Sequence, residues 1–452
     1  MTGSASGTDA AARWRAAVSR AVGGATPESL ARLTPDGIAV GPLHARAEPA
    51  VPQPWRAGAV SIAEAVDHPA IGEALLQATT ATEGGADALV MRVRGSRAAR
   101  GFGVGPEAVP ELLTAIDLAR VALRVEWPEA GAEPLLARVL EAAGRQGIDP
   151  ADERLDLAVD PVGLGPAAAV GWARLARDRG VARAFRADGR PHHEAGASQA
   201  QELAAVLSAG VAALRAWEEA GGEPRAGLVG VTLAVDADHL VSVAKLRAMR
   251  RLWARVEQGC GLVPVPLRLD AETAWRMLAT RDAWTNLVRN TVATVAALQG
   301  GVDRVTVLPF TAALGLPDAS ARRLARNTAL ILIEEAGLAR VADPWGGSGA
   351  AEALTEALCA EAWRLFQGLE AGGGLPEAMR TGAWPAVLAA QRVKRRAALA
   401  GGTPSLVGVT AYPPPSGAAE PGVLLPMPAG AGGSDGGLPA WRDEVLLEAS
   451  PP

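Results

Sequence analysis

Eight short runs of apolar, largely β-branched residues punctuate this chain, and each leads into a longer stretch whose apolar positions recur with helical spacing. They read LVMRV from Leu89, ALRVEW from Ala122, LDLAVD from Leu155, ARAFRAD from Ala182, GVTLAVD from Gly230, VPLRLD from Val265, RVTVLPF from Arg304 and ARVADP from Ala339. Such runs, closed by a polar residue or a turn, predict strands. Their alternation with helices, at roughly 30 to 45 residues per unit over about 250 residues, predicts an α/β fold of the (β/α)8 or TIM-barrel type. Chemistry in that architecture sits at the C-terminal ends of the strands, so residues there are the first candidates.

The helices carry signals of their own. Ser198 and Gln201 form a capping box, and Leu203, Val206, Leu207, Val211, Leu214 and Trp217 follow at helical spacing until Gly221. In the next unit Val243, Leu246, Met249, Leu252, Trp253 and Val256 share a face, while Lys245, Arg247, Arg250, Arg251 and Arg255 fall mostly on the others. Those cations read as a solvated outer face, with contact to the phosphates of an acyl carrier as the alternative.

Around a barrel set at residues 86–370 the pattern thins. Residues 1–85 read as a helix over Asp9–Val22 and a Pro-rich extended arm, with an N-cap at Thr26-Pro27 and a tight turn at Thr34-Pro35-Asp36-Gly37. Such an arm is expected to wrap its own barrel or a partner subunit. A helix over Ala351–Leu369 closes the barrel segment. Residues 371–415 hold a helical extension from Leu375 to about Leu399 and a strand-like LVGVTAY from Leu406. Residues 416–452 are rich enough in Pro and Gly to read as a linker and tail.

A chain of 452 residues with 49% hydrophobic content can bury one large core. Its net charge of -5 offers no excess positive field, which argues against a general nucleic-acid or anionic-membrane role. Cys260 and Cys359 lie in different units, without metal-ligand spacing or a disulfide framework, and fit a reducing cytoplasm. The N-terminal residues lack a secretory pattern, and no uncharged apolar stretch is long enough to span a bilayer, so a cytoplasmic location is expected.

Asp160, Asp188, Asp236, Asp270 and Asp343 stand at or near five strand ends, where a carboxylate ring could bind a metal or move protons. An aspartate there is equally a natural N-cap, and nothing nearby completes a ligand set. The pair His192-His193 suits acid/base work or local hydrogen bonding, whereas His44, His68 and His239 form no triad with a serine elbow. In ADPWGGSGAAE, glycines before a helix could cradle a phosphate or simply make a βα turn. Tyr412, the one tyrosine, lies beyond the barrel and excludes any mechanism that needs a tyrosine at its mouth. No catalytic, cofactor-binding or metal residue is therefore assigned.

Several long stretches resemble the barrel subunits of the adenosylcobalamin-dependent methylmalonyl-CoA mutase family. They are LTPDGIAVGPLHAR from Leu33, the HHEAGASQAQ stretch from His192, AKLRAMRRLWARV from Ala244, the ETAWRMLATRDAW stretch from Glu272, the ARRLARNTALILIEEAG stretch from Ala321 and SLVGVTAYP from Ser405. The resemblance implies a CoA-ester-threaded barrel, followed in the family by a flavodoxin-like cobalamin domain, and interconversion of methylmalonyl-CoA and succinyl-CoA by radical rearrangement.

The departures say which member it is similar to. Catalytic subunits carry a Tyr-His pair shortly before EAGA; with EAGA on Glu194–Ala197, those positions fall on Arg190 and Pro191. His192 and His193 are out of register, and His193 fits the small-subunit wording of the motif. The family's substrate-contacting arm tyrosine has no counterpart, Glu272 replaces the glutamine of QTSGW, and the lower-ligand signature D-x-H-x-x-G is missing. The resemblance thus implies a small-subunit-like, non-catalytic barrel that binds no cofactor alone and pairs as a heterodimer with a larger catalytic chain carrying adenosylcobalamin. Two alternatives remain at this stage: an acyl-CoA mutase barrel working with a separate cobalamin protein, and a barrel that binds an acyl-CoA without transforming it. Pairing predicts an apolar surface on the arm or outer helices, since obligate partners bury more than about 2,000 Å².

Overall fold

The computed structural model describes residues 5–24, 26–47, 58–128, 131–417, 419–429 and 438–448. Eight parallel strands form the central sheet: β1 (Ser61–Val66), β2 (Ala88–Arg92), β3 (Ala122–Glu126), β4 (Leu155–Asp156), β5 (Phe185–Asp188), β6 (Val229–Val235), β7 (Leu269–Thr273) and β8 (Arg304–Thr306). Their order is β4-β3-β2-β1-β8-β7-β6-β5. The cylinder closes where Val159, just past β4, bridges Phe185 of β5, with the Arg186 amide donating to the Val159 carbonyl at 2.8 Å. The expected α/β barrel is therefore present.

Each strand feeds a helix on the outside: α1 (Ile71–Glu83), α2 (Val109–Ala115), α3 (Ala132–Arg145), α4 (Pro166–Asp178), α5 (Gln199–Glu219), α6 (His239–Gly259), α7 (Asn286–Gln299) and α8 (Ala319–Leu330). Outward strand residues such as Leu89, Met91, Leu123, Val125, Leu233 and Leu269 pack under these helices and form the main apolar core. Ser198 and Gln201 cap α5 reciprocally, as their spacing predicts. Beyond the barrel come α9 (Gly349–Ala371), a short helix over Gly374–Arg380, α10 (Ala383–Ala400) and α11 (Asp443–Glu448).

Four elements differ from the sequence reading. The first barrel strand is Ser61–Val66, inside the segment read as arm. Glu64 interrupts its apolar run, and its outward carboxylate is covered by Arg326 at 2.5 Å. ARVADP from Ala339 is a loop rather than the eighth strand, and its Val341 is 57% exposed. LVGVTAY is a tight turn in which the Leu406 carbonyl accepts the Val409, Thr410 and Ala411 amides. The helix expected from Leu375 is two helices, parted at Gly382, whose φ of 76° suits glycine.

The arm follows its own barrel. A helix over Ala5–Ala21 leads to a small hairpin, from which Arg32 pairs with Asp238 at 2.6 Å, Asp36 accepts the Ala200 amide, and the Pro35 carbonyl accepts Gln391. Leu30, Leu33 and Leu43 stay exposed on its outer side. The tail is not a free linker either. Leu425–Pro426 pairs with Gly315–Leu316, and Leu438 and Leu446 are buried. No helix among the described residues is long and apolar enough to cross a membrane.

Candidate functional site

Two-residue alternation turns every second side chain of a barrel strand toward the axis, and here many of those side chains are ionised. At the C-terminal mouth Arg92 of β2 reaches Glu272 of β7 at 2.5 Å and Glu126 of β3 at 3.3 Å. Arg190, just past β5, binds Glu126 at 2.8 Å, Asp188 at 2.6 Å and Glu272 at 3.0 Å. Arg124 closes the ring on Glu126. Burial alone would raise the Glu126 pKa, yet Arg190, Arg124 and Arg92 outweigh it and hold the carboxyl far below its ordinary range. Burial likewise opposes the charge on Arg190, but its three carboxylates push its pKa well above normal. The axis of the barrel mouth is thus crossed by linked ion pairs, in which Arg92 Nε and Glu126 Oε2 keep no hydrogen-bond partner of their own.

Two clefts lie at this end among the described residues. A cleft of about 110 Å³ lies beside Trp127, Asp160, Asp188 and Arg190, and one of about 40 Å³ beside Arg92, Glu64 and Arg322. Both fall well below the roughly 300–1,000 Å³ typical of sites for drug-sized ligands. A hollow of about 340 Å³ sits outside the barrel, between α1 and α2.

The tail roofs the same end. Met427 donates to the Leu314 carbonyl, Trp441 to the Glu194 carbonyl at 2.9 Å, and Arg395 of α10 forks onto Asp443 at 2.5 and 2.6 Å. Glu444 accepts from the Thr280 amide and hydroxyl and from the Arg281 amide at 2.7–3.0 Å. Beneath it, Trp275 lies between the guanidiniums of Arg100 and Arg442. Pro and Gly density hid this docking; the signal available was the anchors Trp441 and Leu446 after the linker.

The strand-end aspartates do not assemble into the ring that their positions allowed. Asp160 does cap the turn after β4 by accepting the Val162 amide, and Asp188 holds Arg190. Asp236 tethers the loop to α6 through Ser242. Asp270 is the second residue of β7, deep in the bore among arginines, and Asp343 binds Arg247 outside the barrel. Among the described residues no group of three His, Cys, Asp or Glu could hold a metal ion.

Both histidines of the pair are buried. His192 accepts the Trp384 indole N–H at 3.0 Å, and burial lowers its pKa to about 4. His193 sits 3.0 Å from Glu202, which also binds Lys245 at 2.7 Å, and burial again favours the neutral ring. Neither offers a nitrogen for acid/base work near neutrality.

The glycine loop cradles no phosphate, because Glu352 of α9 accepts the Gly347 amide and the arm's Ala45 carbonyl lies against Gly349. Most cations of α6 are not the solvated face expected; Arg255 alone of the five is exposed. Lys245, Arg247 and Arg250 are buried, and Arg247 and Arg251 bind Glu352 where α9 covers the helix. Sequence reasoning passed over Arg92, Arg124, Glu126, Asp156, Arg186 and Arg304. Their signal was charge at inward positions of otherwise apolar strands.

Residues 181–425 match the family described as methylmalonyl-CoA mutase. The chain belongs to this family. It is 42% identical over 349 residues to the methylmalonyl-CoA mutase small subunit of Streptomyces virginiae, covering 74% of this chain and 55% of that protein. It is 34% identical over 326 residues to the small subunit of Propionibacterium freudenreichii subsp. shermanii, covering 69% and 51% respectively. The large subunit of Streptomyces virginiae matches at 34% over 224 residues, 48% of this chain and 31% of that one. The chain thus spans about half the length of the small subunits it matches. In this mutase-family barrel, Arg190 and Glu272 meet in one ion pair.

Proposed function

We propose that this chain is a small-subunit-like component of a methylmalonyl-CoA mutase, itself non-catalytic, which stabilises a larger barrel subunit carrying adenosylcobalamin. The observation that carries this reading is the Arg92–Glu272–Arg190–Glu126 lattice, which occupies the axis an acyl-CoA would need. The residues at the mouth do not fit a corrinoid cofactor. Arg100, Arg442 and the docked tail cover the position from which it would face substrate, and His192 and His193 are engaged beneath the surface. Outward-facing Leu30, Leu33 and Leu43 on the arm, and Trp284, Val288, Leu324 and Ile331 on the α7–α8 side, supply apolar surface for a partner.

Co-expression with a family large subunit tests the proposal. A tight one-to-one complex is expected, with the large subunit more stable inside it than alone. The chain by itself, supplied with adenosylcobalamin and methylmalonyl-CoA, is expected to yield no succinyl-CoA. Turnover by the isolated chain, or a chain that stays monomeric beside every large subunit tried, overturns the reading.

A further inference from the structure

The N-terminal end of the bore has a different charge balance from the mouth. Arg183, Arg186, Arg268 and Arg304 converge there on two carboxylates, Asp156 and Asp270. Arg186 bonds Asp156 and lies 3.2 Å from Asp270; Arg268 is 3.3 Å from Asp270, and Arg304 no nearer than 3.7 Å. Arg183 feels Asp156 through longer-range attraction. Arg124, between the tiers, is matched by Glu126 above. Four guanidiniums against two carboxylates leave two positive charges in excess.

The excess is out of water. Arg304 is 1%, Arg186 4% and Arg183 7% exposed, and the Nε atoms of all three, with Nη1 of Arg304, have no hydrogen-bond partner. Burial lowers the Arg183 pKa and brings Arg304 down to about 10, which leaves Arg304 charged at neutral pH. The other acids nearby do not answer: Glu153 is exposed, and Asp303 is taken by Arg250 and the Leu269 amide. Uncompensated buried charge costs several kcal/mol, so a counter-charge is favoured. Gly230 lets Arg183 and Arg186 pack against the backbone of β6, since a Cβ there would lie 2.9 Å from Arg183 Cδ and 3.1 Å from Arg186 Nη2. The Arg268 side chain, 28% exposed, marks the way in from the N-terminal end.

We propose that this end of the bore is a binding site for a divalent oxyanion of the phosphate class, held by Arg183, Arg186, Arg268 and Arg304. Guanidinium forks match tetrahedral oxyanions, and two negative charges cancel the excess. The mouth lattice closes the far end, so the anion enters from below. Free phosphate and the phosphate group of an ester offer the same chemistry.

Titration calorimetry of the full chain with sodium phosphate at fixed ionic strength, paired with 31P line broadening, tests the site. One equivalent is expected to bind and to raise Tm beyond a chloride control. Arg304→Met and the more exposed Arg268→Gln should each weaken phosphate binding by about tenfold or more. Arg304→Met should melt no lower than the parent without phosphate, because it removes excess charge. Coenzyme A is the competitor: displacement of phosphate at lower concentration identifies an ester as the ligand, and failure to displace identifies the inorganic ion. Stabilisation by phosphate no greater than by chloride, or equal affinity in both variants, overturns the site.

Discussion

Arg190 Nη1 donates to Glu272 Oε2 at 3.0 Å across the barrel mouth. Read along the chain, these residues are two independent departures from a catalytic pattern; folded, each supplies the charge that makes the other tolerable. Arg190 also serves Asp188 and Glu126, and Glu272 also serves Arg92 at 2.5 Å, so the buried charges balance as a group and any one is costly without its counterparts. The mouth is therefore held as one unit of linked ion pairs.

Breaking that unit on one side should be severe. Arg190→Met leaves Asp188, Glu126 and Glu272 facing one another, and a loss of about 3–5 kcal/mol is expected in urea unfolding. Adding Glu272→Gln should return at least about 1 kcal/mol. Additive losses would mean the pair is not coupled.

Asp160 should make the protein less stable as pH rises. Burial and the neighbouring Asp188 raise its pKa to about 7, so between the ordinary carboxyl range and pH 7 the folded state keeps a proton that the unfolded chain has lost. Its contribution is intact in acid and is lost as pH rises through about 7. Asp160→Asn, which keeps the cap acceptor, should match the parent near pH 4 and exceed it by on the order of 1 kcal/mol at pH 8. Thermal melts across that range provide the check; a constant difference would contradict the assignment.

Gly349 should control the seating of the arm. A Cβ there collides with the Ala45 carbonyl, so Gly349→Ala is expected to lift the segment around His44–Ala47 while leaving the barrel folded. Hydrogen exchange would report it as faster exchange at the Ala47 amide, which donates to Gly347, with β-strand amides unchanged.

The tail should be held by its carboxylates. Asp443→Asn with Glu444→Gln weakens the fork on Arg395 and the contacts to Thr280 and Arg281. A loss of about 1–3 kcal/mol of tail docking is expected, read as faster exchange at the Trp441, Thr280 and Arg281 amides. Unchanged exchange would show that Leu438 and Leu446 suffice.

Much of the barrel could be read in advance because seven of its strands are short apolar runs followed by helices with one apolar stripe. The first strand escaped because Glu64 breaks its run, and only Arg326, 262 residues away, makes that acid tolerable there. ARVADP misled in the opposite direction: it has a strand's composition, but its place in space is a loop whose Asp343 serves Arg247. At the candidate site, the loss of the Tyr-His pair was legible at Arg190 and Pro191. What replaced it was not, since the partners Arg92, Glu126 and Glu272 come from three strands and no local pattern joins them. Arg247 and Arg251 of α6 escaped for the same reason: α9, a hundred residues later, brings Glu352 onto them.

One feature of the cylinder bears on all of this chemistry. β4 is two residues long, and a single bridged position, Val159 with Phe185, completes the ring. Val159, Asp160, Asp188 and Arg190, from the two sides of this seam, line the cleft at the mouth. The barrel is thus held closed by the fewest backbone pairings between the two strands whose ends carry Asp160 and Asp188.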